Sequence, residues 1–435
     1  MKSESSSLIR RLLALPLHWQ ILIALAAAVG VGAFAGQTTS LFGIPLLPVL
    51  VFIGTLFLQA LKMLIVPLVV SSIIVGMMEI NPATLGRLGT KTLLYYVISS
   101  LVAILVGLMM VNMLQPGIAD GEPVRDMIGL SADTDSVLAQ VDGRSSGDLA
   151  DVFIRMVPAN IVSAAANGQM LGLIFFSLLF GYFVSRLDEP QSVTQKQFWR
   201  GLLDVMMHMT NWVMMFAPLG VFALVCKVIL VSGADAFAPL ALFFVTVLLA
   251  LMIHLLLVLP LVLRLLARVS PLAHFRAMMP ALLTAFSTSS SSATLPITLD
   301  CVEQRAGVSN SVSGFTLPLG ATVNMDGTAL YECVAAMFIA QAYGLQLDFV
   351  TQFTIVLIAL MTSIGVAGIP SASLVAISII LAAVGLPVEA IGLILVVDRV
   401  LDMCRTAVNV FSDSVAAVTI ARLEGEQTLL AVKQD

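Results

Sequence analysis

Charge is what this chain has least of. Only 11% of its 435 residues are Asp, Glu, Lys or Arg, against about a quarter in a soluble globular protein. Residues 12–61 contain none, which is room for two spanning helices at about 20 residues each. Further charge-free runs cover 92–119, 156–185, 205–226, 236–263, 277–299, 306–325 and 349–388. With 59% hydrophobic residues and a mean hydropathy of +1.04, the chain reads as a polytopic membrane protein. Short alternating segments are missing too, which excludes an outer-membrane barrel. The four cysteines (Cys226, Cys301, Cys333, Cys404) form no CxxC pair, so neither a zinc site nor a disulfide framework is indicated. The four histidines (His18, His208, His254, His274) lack metal-ligand spacing. The net charge of −5 says little, because orientation depends on where Lys and Arg fall.

What is present begins with helix-length apolar runs. Segments are expected at about 12–36, 43–78, 89–113, 153–186, 197–231 and 235–268. Arg10/Arg11, Arg87/Lys91, Arg186/Lys196/Arg200 and Arg264/Arg268/Arg276 fall at alternate loops, as cytoplasmic loops should. The acidic 114–152 loop fits the outside, and Arg422 and Lys433 return to the cytoplasm. Lys2, Arg10 and Arg11 precede no small-residue cleavage site; the N-terminus is read as a retained cytoplasmic end. Lys227 and Lys62 read as snorkelling or structural, and the Met-rich 205–215 stretch as lipid-facing or core filler.

The second half does not parse as simple spans. "AMMPALLTAF" (277–286), "STSSSS" (287–292) and "ATLPITL" make two short apolar arms around a polar tip. A serine run is ordinarily a linker; embedded here between apolar arms, it reads as a re-entrant hairpin tip. "SIGVAGIPSAS" (363–373) interrupts a second apolar pair. On composition alone an ordinary surface turn is the stronger reading there. Irregular backbone at membrane depth needs cover from protein or a water cavity. Two such interruptions, each followed by a charged helix, suggest an inverted repeat with a binding site between its halves.

The chemistry concentrates in two stretches. Asp398, Asp402, Arg405, Asn409 and Asp413 are spaced 4, 3, 4 and 4, which places them within an arc of about 80° on a helix. Arg405 pairing with Asp402 or Asp398 is one reading. It leaves other acids unpaired, which favours a cation or proton site. In "LGATVNMDGTALYE" (319–332), Asn324, Asp326, Thr328 and Glu332 accompany Gly320 and Gly327. Glycine weakens the helix, and unwound carbonyls can coordinate Na⁺. Glu332, buried among apolar neighbours, can carry a proton; a lasting ion pair is the alternative. Tyr96, Ser99 and Ser100 share one face of the third helix and, seen alone, read as helix-packing polar residues. An intramembrane aspartyl or serine protease is excluded by the absence of GxGD and GxSG, so no enzyme is read here.

"TSSSSATLP", "LPLGATVNMDGTALYE", "SIGVAGIP" and "DMCRTAVNVFSD", in this order, resemble the dicarboxylate/amino acid:cation symporters, a family that includes bacterial glutamate and aspartate carriers and the excitatory amino-acid transporters. The resemblance spans nearly the whole chain. It implies an all-α polytopic protein of eight transmembrane helices and two re-entrant hairpins, working as an elevator within a homotrimer in the lipid of the bacterial cytoplasmic (inner) membrane. Scaffold helices 1–2 would occupy 1–88, helix 3 of the transport domain 89–113, and an extracellular loop with scaffold helices 4–5 114–231. The transport core would be 235–422, with hairpin 1 at 271–301 and hairpin 2, the gate, at 348–383, before a cytoplasmic tail at 423–435.

The same resemblance implies residue roles. Arg405 would hold the substrate's side-chain carboxylate and Asp402 its amino group. Thr328, Thr406 and Asn409 would touch it, with Ser289, Ser290 and Ser291 at one tip and Ile369 and Ser373 at the other. Asp413 and Asn409, with carbonyls of Gly320 and Asn324, would bind one Na⁺. Asp326 and Asn324 would join Tyr96, Ser99 and Ser100 at a second, and carbonyls of Thr322, Ser363 and Ile364 would complete a third. Glu332 stands where a glutamine is found in the archaeal members, and goes with proton coupling. Ser289 replaces an arginine, Val366 a threonine and Ser373 a glycine, while Arg399 is extra and would supply the charge the tip lacks. The function implied is Na⁺-driven glutamate/aspartate symport with H⁺ involvement, without organic cofactor or nucleic acid. Proton-only, C4-dicarboxylate and neutral amino-acid carriers of the same fold, and a passive anion channel, are the rivals.

Overall fold

Where water is excluded, a backbone must satisfy its own N–H and C=O groups, and helices do this within one segment. The computed structural model is accordingly mostly helical. It describes residues 15, 17–35, 39–41, 43–79, 87–125, 154, 157–166, 170–232, 237–345, 348–363, 372–427 and 430. The first helices are α1 (Leu17–Phe34), α2 (Leu46–Glu79), α3 (Arg87–Leu114), α4 (Ile161–Ala166), α5 (Met170–Val184), α6 (Gln191–Met214) and α7 (Ala217–Ser232). Next comes α8 (Phe237–Ile253), prolonged by π turns at His254–Val258 and Leu263–Ala267 around Leu259–Val262. The rest are α9 (Pro271–Thr288), α10 (Ser291–Asp300), α11 (Asn310–Val323), α12 (Asp326–Ala342), α13 (Phe349–Ser363), α14 (Ala372–Val384) and α15 (Ile391–Leu423). Among the described residues the strands form two short antiparallel ribbons, Ser40–Leu41 with Ile44–Pro45 and Ile118–Ala119 with Glu122–Pro123. Asp120 and Gly121, at φ 52° and 84°, close the second with the left-handed pair a tight hairpin needs.

Two segments depart from the sequence-based expectation. The expected 153–186 helix is two described pieces, α4 and α5. The expected 197–231 helix starts at Gln191 and bends by 52° between α6 and α7, where Pro218 suits the first turn of a new helix better than the middle of an old one. Among the described residues only Leu88–Leu114 and Ala238–Ala267 are long and apolar enough to cross a membrane, or three spans if the bent pair counts as one. Trp19–Gly32, Leu46–Phe57, Val66–Met78, Gly172–Val184 and Phe349–Ser363 are shorter apolar helices.

Packing sorts the helices. α2 packs on α5, α6 and α7, and α7 on α1. α3 and α8 pack on each other and on α12. The α9/α10 hairpin lies against α15, whereas the α13/α14 pair lies against α12. α15 contacts both groups, through α7 and through α8, α11 and α12. Its Asp398, Asp402, Arg405, Asn409 and Asp413 are thereby all buried.

Candidate functional site

The 4, 3, 4, 4 spacing carries over directly, since α15 is an unbroken helix through all five residues. Arg405 Nη1 donates to Asp398 Oδ1 at 3.0 Å and Nη2 to Asp402 Oδ1 at 2.6 Å. Its guanidinium carbon lies 4.0 Å from the ring centroid of Tyr331 on α12, a face that attracts cations. Arg405 is 1% exposed, and its Nε has no hydrogen-bond partner among the described residues. Internal pairing of Arg405 is therefore realised. The expectation that it leaves an acid over does not hold for this part of the helix: Arg399 Nη1 reaches Asp402 Oδ2 at 3.2 Å, so two arginines balance two aspartates. Thr406 donates its hydroxyl to Asp402 O at 2.8 Å.

α11 and α12 are one helix broken at Asn324 and Met325, whose φ/ψ of −102°/74° and −107°/62° are not helical. The glycines flanking the break permit close packing. A Cβ at Gly327 would lie 2.7 Å from the carbonyl oxygen of Arg405, and one at Gly320 would lie 2.5 Å from Asp413 Oδ1 and 2.9 Å from Tyr96 Oη. Asn409 spans the gap, its Oδ1 accepting from the N–H of Gly327 at 2.8 Å and of Thr328 at 3.3 Å. Its Nδ2 donates to Thr328 Oγ1 at 3.0 Å.

Two acids gather around the break. Asp413 Oδ1 accepts from Asn324 Nδ2 at 2.9 Å, while the buried Asn324 Oδ1 has no partner among the described residues. Asp326 is surrounded by donors: Ser99 at 2.5 Å, Ser412 at 2.6 Å and Ser100 at 2.8 Å, with His254 Nε2 at 3.0 Å. Serine hydroxyls rotate and offer lone pairs as readily as protons, so this shell can turn its oxygens toward a cation. Tyr96 Oη donates to the Thr316 carbonyl at 2.7 Å instead of to either acid. The site thus has two carboxylates, an amide oxygen without a partner among the described residues and rotatable hydroxyls, the hard oxygen donors an alkali cation takes.

Glu332, on α12, is buried and accepts from Thr362 Oγ1 at 2.8 Å through Oε2. Its Oε1 is without a partner, and no basic side chain pairs with it, among the described residues. The α9/α10 tip is a tight turn. Ser289 sits left-handed at φ 52°, and Ser290 caps α10 by accepting from the Ala293 N–H at 3.2 Å. Ser289 and Ser291 are buried, which is unlike a linker. Thr322 and Ser363 donate their hydroxyls to Leu319 O and Leu360 O within their own helices. Ser373, at the start of α14, is buried with an unpartnered hydroxyl among the described residues. Ile364, Val366 and Ile369 lie outside the described residues.

Sequence reasoning missed His254 and Ser412, both at Asp326, and Thr362 at Glu332. His254 carried a usable signal: it is the sole histidine of the charge-free run 236–263, where a polar side chain needs a buried partner.

Residues 17–423 match the Sodium:dicarboxylate symporter family. The proton/sodium-glutamate symport protein of Bacillus caldotenax is 35% identical over 412 residues, covering 94% of this chain and 95% of its own. The proton/glutamate-aspartate symporter of Escherichia coli is 34% identical, with 94% and 93% covered. The neutral amino acid transporter B(0) of Bos taurus is 38% identical, with 91% and 78% covered. An integral membrane transporter, and not an enzyme, this chain belongs to the sodium:dicarboxylate symporter family.

Proposed function

We propose that the protein is a secondary active symporter that takes up L-glutamate and L-aspartate with Na⁺, and that a proton travels on Glu332. The observation that carries this reading is the buried Arg405, bracketed by Asp398 and Asp402 and set beside the Asp326 and Asp413 clusters. Arg405 takes the substrate's side-chain carboxylate through its planar two-point fork, and Asp402 takes the ammonium. Thr328, Thr406 and Asn409 line the substrate, and the tips around Ser289–Ser291 and Ile369–Ser373 cover it. Asp413 with Asn409, Gly320 and Asn324 binds one Na⁺, and Asp326 with Asn324, Ser99, Ser100 and Tyr96 a second. Thr322, Ser363 and Ile364 offer carbonyls to a third. The cargo is anionic and the site holds excess acid, so cations must accompany it for tight binding, and that linkage is the coupling.

The same reading makes α1, α2 and α4–α7 the static scaffold and α3 with α8–α15 the moving body of an elevator, in a homotrimer of the bacterial inner membrane with both termini cytoplasmic. The packing of α2 with α5, α6 and α7, and of α12 with α3, α13 and α14, supports that division, with α15 lying against both groups. A neutral substrate, as in the name of the bovine relative, has no second carboxylate for Arg405, and this favours the acidic one. The test is aspartate uptake into proteoliposomes under separately imposed Na⁺ and pH gradients. Accumulation driven by inward Na⁺ and increased by an inward proton gradient is expected. Full accumulation on a pH gradient without Na⁺ removes sodium from the account.

A further inference from the structure

The chain turns back at the end of α15. Gly425 sits left-handed at φ 92°. The N–H groups of Gly425 and Glu426 bond the carbonyls of Arg422 and Ala421 at 3.0 and 2.9 Å, the helix-ending turn that a left-handed glycine allows. This turn sends Glu426 across to the start of α11. There its carboxylate accepts from the Ser309 hydroxyl and, at 3.0 Å, from the Ser309 N–H, in a position that the helix dipole favours for a negative charge. Further along, the Leu430 carbonyl accepts from the Ser270 N–H at 3.4 Å. The Leu430 side chain packs against an apolar cluster that includes Leu263, Val269, Met278, Val302 and Val308. Ser270 immediately precedes α9, and Ser309 lies between α10 and α11. One short stretch of chain therefore holds both the entry and the exit of the α9/α10 hairpin. Two basic residues tie that stretch down. Arg422 Nε donates to Ala267 O at 3.1 Å, at the end of the α8 segment, and its Nη1 to Glu426 O at 3.2 Å. Lys91 of α3 donates to Leu423 O at 2.9 Å and to Glu424 Oε1 at 2.6 Å.

We infer that residues 422–430 form a clasp that fixes the α9/α10 hairpin at both of its ends to α3, α8 and α11, and so governs how often that hairpin moves away from α15. A hairpin swings only where its ends can hinge, and here both ends are bonded to the same segment. The partners lie far apart in sequence, 117 residues for Ser309 with Glu426 and 333 for Lys91 with Glu424, so the clasp forms only when the surrounding helices are in place. Opening free energies differ from one part of a structure to another, and the clasp puts this hairpin at the stable end. The inference goes beyond the proposed function, since it concerns motion and not cargo. Under that function it has a consequence: a released clasp lets the Ser289–Ser291 tip leave the substrate.

Hydrogen exchange of the purified full-length protein, read peptide by peptide, tests this. Glu426→Ala removes the bonds to Ser309, and Gly425→Val strains the left-handed turn without altering the hairpin itself. Each should speed exchange across 271–306 by about tenfold or more, the scale of a lost charge-assisted hydrogen bond. Exchange across 372–384, in α14, should stay within about twofold of the wild type. Glu426→Gln, which keeps an acceptor for Ser309, should have a smaller effect than Glu426→Ala. Unchanged exchange across 271–306, or an equal rise in both regions, overturns the inference. So does a wild type whose residues 271–306 exchange at the rate of an unfolded chain, a result that stands even if neither variant folds. The readout needs no transport, so a protein that does not bind aspartate overturns the proposed function and not the clasp.

Discussion

Asp402 Oδ1 accepts a 2.6 Å hydrogen bond from Nη2 of Arg405, three residues further along the same buried helix. Under the proposed function these residues take opposite ends of one amino acid, so in the substrate-free protein each stands in for the end the other will receive. Binding exchanges the internal Arg405–Asp402 pair for two external ones, with Asp398 still beside Arg405 and Arg399 beside Asp402. No step leaves a bare charge in a water-poor interior, where an unpaired ion is expensive.

Arg405→Ala should abolish aspartate binding, and Arg405→Lys should weaken it by about ten- to a hundredfold, since the loss of one charged hydrogen bond is worth roughly 1.5–3 kcal/mol and lysine lacks the fork. Equilibrium binding at saturating Na⁺ checks this. Aspartate affinity unchanged in Arg405→Lys would reject the assigned role.

Asp413→Asn removes a charge from the Asn324 cluster while keeping the side chain's size. The Na⁺ concentration for half-maximal aspartate uptake should rise about tenfold or more, the equivalent of roughly 1.4 kcal/mol, with aspartate affinity largely recovered at high Na⁺. A sodium curve that overlays the wild type would place that ion elsewhere.

Glu332→Gln fixes the residue in the uncharged form and still gives Thr362 Oγ1, now 2.8 Å from Oε2, an oxygen to bond. Wild-type uptake should fall on the alkaline side, once the carboxyl gives up its proton, while the variant should stay flat there. Uptake measured across a pH series at constant Na⁺ decides, and an identical pH profile in both proteins would separate Glu332 from the proton.

Gly327→Ala would bring a Cβ to 2.7 Å from the Arg405 carbonyl oxygen, main chain on which a side-chain rotation gives no relief. Overpacking of this kind costs about 1–3 kcal/mol and should lower the melting temperature of the purified protein. Gly76→Ala, with nothing within 4 Å of the added carbon, is the control and should change little. Equal melting of both variants would contradict the close approach of α12 to α15.

The polar face of α15 is legible in sequence because helical periodicity alone brings five residues together, and the break at Asn324 is legible from its glycines. The pairing of Arg399 with Asp402 is not, because Arg399, singled out only as a charge for the hairpin tip, falls outside the arc of about 80° used to count charges, although an i,i+3 pair is within a helix's reach. The contacts of Asp326 with Ser99 and His254, 227 and 72 residues away, depend on which helices pack together, and no local pattern specifies that. The bend before Pro218 is visible in principle. The π turns in the α8 segment are not, since they reflect a shift of main-chain register within a uniformly apolar run.

The central claim is that buried acids admit an anionic cargo only with cations. Aspartate affinity of the purified protein, measured across a range of Na⁺ concentrations at fixed pH and ionic strength, tests it most directly. The account predicts that affinity climbs steeply with Na⁺ and that aspartate tightens Na⁺ binding by the same factor, as linkage requires. An aspartate affinity that is the same with and without Na⁺, and at acid and alkaline pH, would contradict it.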